Sequence, residues 1–219
     1  MKRLIIICEG QTEQEFCKDV LYPHFINNQI IIQCPLIKKS NGGIVPWHHL
    51  KKQIETHLKE DPKAYITTLI DYYGTNDKHT FPDWENRLAI IDKSDRMTFL
   101  ETSMKRDIDD RLNYRFIPYI QLHEFEGLLF NDATIFQKQI PSDELLNFDE
   151  LETTIISYPN PELINDGRRT APSKRLDKLI FGYNKPVYGS LLAQAIGLFI
   201  IRSKCTRFNK WITQLETLK

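Results

Sequence analysis

The sequence lacks an excess of charge of either sign. Its 29 Lys and Arg balance 29 Asp and Glu, so no global basic field announces nucleic acid, and any such contact must come from local patches. It also lacks an apolar run long enough for a bilayer: the longest, Leu191–Ile201, is interrupted by Gln194. The N-terminus opens a strand without signal-peptide architecture, so a cytoplasmic location is expected. Cysteine is scarce. Cys8, Cys17, Cys34 and Cys205 have neither paired spacing nor a neighbouring histidine, so neither a disulfide scaffold nor a zinc site is indicated and buried thiols are expected. A Walker-type glycine-rich loop is missing too, which leaves a nucleotide-binding phosphotransferase without support. Internal repeats, low-complexity stretches and an interdomain linker are absent from the sequence.

What remains is a chain of 219 residues, 41% hydrophobic and 26% charged, large enough to bury a full core. Its organising stretch is RLIIICEGQTE, Arg3–Glu13. Leu4–Cys8 are apolar in succession, the pattern of a strand buried on both faces of a parallel sheet. The run stops at Glu9, and Gly10 removes a side chain where the backbone must turn. Thr12 and Glu15 fit a capping box, which predicts a helix from Thr12 to about Asn27 with Glu13 in its first turn. Glu9 and Glu13 are therefore expected at the carboxyl edge of the sheet, where open α/β folds bind ligands, and near the positive end of a helix. Two acids there suggest a divalent-metal site, because hard cations need clustered carboxylates. For Glu13 alone the alternative is simple complementation of the helix dipole.

The same design recurs at the third and fourth strand candidates. Gln29–Ile37 reads as a second strand, and Ala64–Ile70 as a third, followed at once by Asp71 and, three residues on, by Gly74. Tyr114–Leu122 is the fourth, with Pro118 arguing for an edge or a bulge, and it runs into Glu124 and Glu126. Helices are expected over Pro46–Glu60, Asp83–Ile91 and Asp92–Leu112, with His48, His49 and His57 on a solvated face. Further on they are expected at Ser142–Leu146, around Asp149–Ser157 and at Ser173–Leu179. Gly189–Cys205, apolar nearly all round, reads as one buried helix, and Phe208–Leu218 as a closing one. The division expected is an α/β core over 1–130 and a mainly helical extension over 131–219. One stretch, Glu162–Leu176, is strongly basic. Its Arg168, Arg169, Lys174 and Arg175 could grip a phosphate, the alternative being a solvated loop leading into the next helix.

Taken together, CEGQTE, LIDYYG, HEFEGLLF, ELIND, APSKRL and AIGLFIIRSKCTRFNKW resemble the TOPRIM domain, the catalytic module of topoisomerases, primases and overcoming-lysogenization-defect nucleases. More closely, and over nearly the whole chain, they resemble the bacterial family catalogued as domain of unknown function number 4276. The resemblance implies a TOPRIM-like α/β fold: a mostly parallel sheet of about four strands flanked by helices, with a helical C-terminal part. It implies that Glu9 is a metal ligand or general acid/base, that Glu13 joins the metal site, and that Asp71 is the first acid of an Asp-x-Asp pair. Tyr73 stands where the second acid would be, so Glu124 or Glu126 is expected to supply the missing carboxylate, and Lys174 matches a basic residue near the scissile phosphate.

The function expected is a Mg²⁺- or Mn²⁺-dependent phosphodiesterase, a nuclease acting on DNA or RNA. The resemblance adds a role as the effector of a prokaryotic anti-phage defence pair whose partner is an ATPase. The alternative from another class is a non-catalytic nucleic-acid-binding or regulatory subunit that keeps the fold.

Overall fold

The computed structural model describes residues 1–40, 43–164, 167 and 169–218. The apolar stretches form one parallel sheet. Its strands are β1 (Lys2–Cys8), β2 (Ile30–Gln33), β3 (Ala64–Asp71), β4 (Phe116–Ile117) and β5 (Ile120–Gln121). The order is β2-β1-β3-β4, with β5 also pairing with β3, and every pairing is parallel. β1 lies inside the sheet in register with β3 from Arg3↔Ala64 to Cys8↔Leu69, which is why its residues from Leu4 to Cys8 are all buried. The expected fourth strand is two short ones because Pro118 has no N–H to give to the ladder. Across the break Thr68 substitutes for backbone: its Oγ1 donates to Tyr119 O at 2.9 Å and accepts from Tyr119 N at 3.0 Å.

Side chains alternate between the faces of a strand, and two apolar layers follow from that. Ile5 and Ile7 face α3 (Trp47–Glu60) and α4 (Lys93–Asp107) through Leu50, Ile54, Met97 and Leu100. Leu4, Ile6 and Cys8 face a larger cluster containing Phe16, Phe125, Phe208 and Trp211. There the N-terminal helical run meets the C-terminal helices, with the Phe16 ring 5.1 Å from that of Phe125 and 5.9 Å from that of Phe208. Trp211 stacks on Tyr119 at 4.4 Å and donates Nε1–H to Thr67 Oγ1 at 2.9 Å. Truncating a ring in such a layer typically costs about 3–5 kcal/mol.

Several elements differ from expectation for local reasons. The first helical run is α1 (Gln11–Phe16), a π-helical turn (Cys17–Leu21) and α2 (Tyr22–Asn27). Its N-cap is Gly10, not Thr12, and the reciprocal partner is Glu13, not Glu15: Glu13 Oε2 accepts the Gly10 N–H at 2.8 Å. Residues 84–89 form a 3₁₀ stretch, and the charged helix α4 stops at Asp107. α5 (Ala133–Gln139), α6 (Phe148–Ser157) and α7 (Pro172–Leu179) follow, but Ser142–Leu146 is not a helix; Leu145 there bridges Ile180. The single helix expected over Gly189–Cys205 is two. α8 (Lys185–Ile196) and α9 (Leu198–Lys204) meet at 87° because Gly197 takes φ +80°, a left-handed value that glycine adopts without strain. The bend leaves Phe199 84% exposed, against the buried position expected. α10 (Thr206–Glu216) closes the chain. No single helix among the described residues is long and apolar enough to cross a membrane.

Candidate functional site

β1 and β3 end side by side, and the acids that terminate them are joined through the backbone. Glu9 N donates to Leu69 O at 3.1 Å, and Asp71 N donates to Glu9 Oε2 at 2.9 Å. Asp71 Oδ1 in turn accepts the Phe125 N–H at 2.9 Å, which ties the third strand to the turn after β5. Glu124, in that turn, is held by Ser173 at the start of α7, whose N–H and hydroxyl reach its two oxygens at 2.9 and 3.0 Å. Glu13, Asp71 and Glu124 are buried and Glu9 is half-buried. Backbone amides thus fix four carboxylates along one edge, each with at least one oxygen already oriented.

These acids lie close enough to disfavour one another's charge. Burial pushes the Glu9 carboxyl up to about 7, Glu13 and Glu124 push the same way, and the Asp71 amide and Lys185 oppose them. Asp71 is raised well above its usual range, first by burial and then by Glu13 and Glu9. Glu13 is raised by burial against the pull of Lys185. Buried like charges that shift one another upward are characteristic of sites that bind or react.

The cation in that field is Lys185, which sequence reasoning missed. It opens α8, where Asn184 caps Val187 N and Pro186 sets the first turn, so the helix start was legible but its neighbour was not. α8 can approach because Gly189 has no side chain: a Cβ there would come 2.8 Å from Thr12 Cγ2 on α1. Lys185 Nζ lies 2.7 Å from Glu126 Oε1. Glu126 is fully buried, and neither of its oxygens has an aligned hydrogen-bond donor among the described residues, so this ion pair is made by proximity alone. His123, one residue before Glu124, takes φ +67°, a left-handed conformation that is uncommon outside glycine and clusters at functional turns.

The basic segment is placed differently. Arg168 lies outside the described residues, and Arg169 is exposed. Arg175 is spent on the chain itself, its Nε donating to Thr170 O at 2.9 Å. Lys174 is 60% exposed and 3.9 Å from Asp177. Tyr73 is exposed, and its amide donates to His123 O at 2.8 Å.

No three His, Cys, Asp or Glu side chains among the described residues are grouped as an all-protein metal site requires. The donors along this edge are hard carboxylate oxygens. They fit an ion such as Mg²⁺, which is commonly held by one or two carboxylates while water and substrate phosphate complete its shell.

The fold and this edge define an α/β domain with a carboxylate site at the C-terminal ends of parallel strands, the ligand-binding position of open α/β sheets. The chain belongs to the family described as Domain of unknown function (DUF4276), whose model matches residues 8–216. Among solved structures it is similar to the C-terminal region of the Burkholderia pseudomallei OLD protein, at 15% identity and a TM-score of 0.43, with 98% of each chain covered. No curated protein matches it.

Proposed function

We propose that the carboxyl edge is the active site of a divalent-metal-dependent phosphodiesterase acting on DNA or RNA. The observation that carries this reading is the placement of Glu9, Glu13, Asp71 and Glu124 along one edge, each held by a backbone amide: Asp71 N on Glu9, Gly10 N on Glu13, Phe125 N on Asp71 and Ser173 N on Glu124. Glu9 and Asp71, with Glu13 and Glu124 beside them, would hold Mg²⁺ or Mn²⁺. Such an ion, when bound, supplies a water of lowered pKa and offsets charge on the phosphate. Lys185 would balance the remaining negative charge and orient the phosphate, with Glu126 keeping its ammonium in place. Arg169 and Lys174, both exposed, would meet the polynucleotide backbone further out. An ATPase partner and a place in anti-phage defence rest on the motif resemblance, and the neighbouring gene is the first check on them.

A specific observation favours a second reading, a non-catalytic nucleic-acid-binding or regulatory subunit. Tyr73 occupies the place of the second acid and brings no carboxylate to the edge. A cleavage assay on plasmid and on structured RNA, with Mg²⁺ and with Mn²⁺, separates the two. The enzyme reading expects metal-dependent cutting that Asp71→Asn lowers by more than about 100-fold while binding persists, since losing a ligand weakens the ion's hold without disturbing the core. Binding with no turnover in any of the four combinations would establish the second reading.

A further inference from the structure

Two lysines reach the carboxyl edge from opposite faces of the sheet, and they are held differently. Lys185 comes from α8, whose Leu192, Ala193 and Ile196 pack in the layer of Leu4, Ile6 and Cys8. Lys93 is the first residue of α4, whose Met97, Leu100 and Met104 pack in the layer of Ile5 and Ile7. Its ammonium lies 3.4 Å from Nε2 of His123, the residue before Glu124. The His123 backbone is fixed in turn by the extension of β3, its carbonyl accepting the Tyr73 N–H at 2.8 Å. Lys93 is thus tethered one residue from an edge carboxylate, on a turn that Asp71 also holds through the Phe125 N–H.

The ammonium of Lys93 has no counter-charge. An ammonium only donates, so the imidazole nitrogen accepts from it and brings a dipole without a negative charge. Asp92 and Asp95 flank it in sequence, but the Asp92 carboxylate is engaged as the helix cap, accepting the Asp95 N–H at 2.9 Å. No carboxylate lies within ion-pair distance of Lys93 among the described residues. Lys185, by contrast, is 2.7 Å from Glu126 Oε1. Lys93 is also half-buried, so its ammonium has given up part of its hydration without gaining an anion. A phosphate oxygen on its remaining donors would return that loss as a charge-assisted hydrogen bond.

We infer that Lys93, positioned by His123, binds the phosphate next to the one at the acids, so that a polynucleotide strand crosses the carboxyl edge from the α8 layer to the α4 layer. The inference rests on the phosphodiesterase reading, in which the acids and Lys185 take the scissile phosphate. The strand-end acids then lie between two cations, one on each face of the sheet, and successive phosphates of one strand meet both. Lys174 sits on α7, whose Leu176 and Leu179 belong to the same layer as α8, so Lys93 supplies the phosphate contact on the other side. A contact of this kind sets the position of the strand and carries no base preference.

The test reads binding and cleavage separately. Labelled oligonucleotides, duplex DNA and single-stranded RNA, are titrated with the metal-free chain across a range of salt and followed by fluorescence anisotropy. Lys93→Ala should weaken binding by about tenfold or more, the size of a hydrogen bond to a charged group. It should also lower the salt slope by about 0.9 on duplex DNA or about 0.7 on single strands, one phosphate's share. Lys93→Arg should restore the slope, and Lys63→Ala, exposed at the amino end of β3, should leave it unchanged. A variant that merely loosened the turn at His123 would bind more weakly with the wild-type slope, and that result would overturn the inference. In cleavage, KM should rise by the factor lost in binding while kcat changes little. Wild type that binds without cutting, with a lowered slope in Lys93→Ala, would refute the phosphodiesterase reading and keep the phosphate contact. Cutting by wild type with an unchanged slope in Lys93→Ala would overturn the inference alone, and binding to neither nucleic acid would overturn both.

Discussion

The two ends of the same parallel sheet treat their charges in opposite ways. At the amino end Arg3 lies 2.6 Å from Asp61, which also accepts the Lys63 N–H at 2.9 Å. Burial acts upward on the Asp61 carboxyl, yet these partners prevail and hold it below its usual range. Beside it the Arg115 guanidinium donates to the carbonyl oxygens of Leu58, Asp61 and Ala64 at 2.8 to 3.0 Å. At the carboxyl end Glu9, Glu13 and Asp71 are all pushed upward. A charge matched within the chain stabilises the fold. Crowded like charges instead hold an electrostatic cost that a cation from outside can relieve, which is what separates a scaffold end from a binding end.

The two ends are told apart most strongly at Arg115. Arg115→Ala leaves buried carbonyls at the amino end without donors and should cost about 3 kcal/mol in urea denaturation, while the response to Mg²⁺ at the other end survives. Loss of that response in a folded variant would show that the two ends are not separable.

A smaller effect sharpens the contrast through pH. Glu9 titrates at about 7 in the folded chain against a usual 4.5, so between those values the folded state binds more protons than the unfolded one. Its contribution to stability is complete below pH 4.5 and is lost as the pH rises through 7. Metal-free wild type should therefore lose about 1–2 kcal/mol more than Glu9→Gln over that window, measured by denaturant midpoints at fixed ionic strength. Parallel pH dependences for the two proteins would remove Glu9 from the strained group. The smallest effect belongs to the exposed pair at the amino end: Arg3→Ala should change stability by under about 1 kcal/mol, because such pairs are screened by solvent. A loss as large as that from Arg115→Ala would mean this pair carries the scaffold.

Much of the carboxyl edge was legible because β1 and β3 each read as an apolar run that stops at an acid. Glu9, Asp71 and Glu124 needed only that pattern and the rule that parallel strands end together. Glu13 was in the right place for a different reason than its spacing suggested, since the cap is formed with Gly10 and not through Thr12. Pro118 warned of a break, though not that Thr68 would bridge it. Gly197 offered a signal inside an apolar run, but composition alone favoured a continuous helix over an 87° bend. Lys185 was illegible because its role depends on tertiary contact: α8 reaches α1 through the missing side chain of Gly189, and no local periodicity encodes that approach.

If the acids at the carboxyl edge hold a cation, thermal unfolding at pH 7.5 responds to Mg²⁺ or Mn²⁺. A cation bound only by the folded state at 100 times its dissociation constant stabilises by about 2.7 kcal/mol, so the midpoint of wild type should rise by several degrees. Asp71→Asn should start higher than wild type without metal and gain little when metal is added. No shift in wild type, or an equal shift in Asp71→Asn, would contradict the claim.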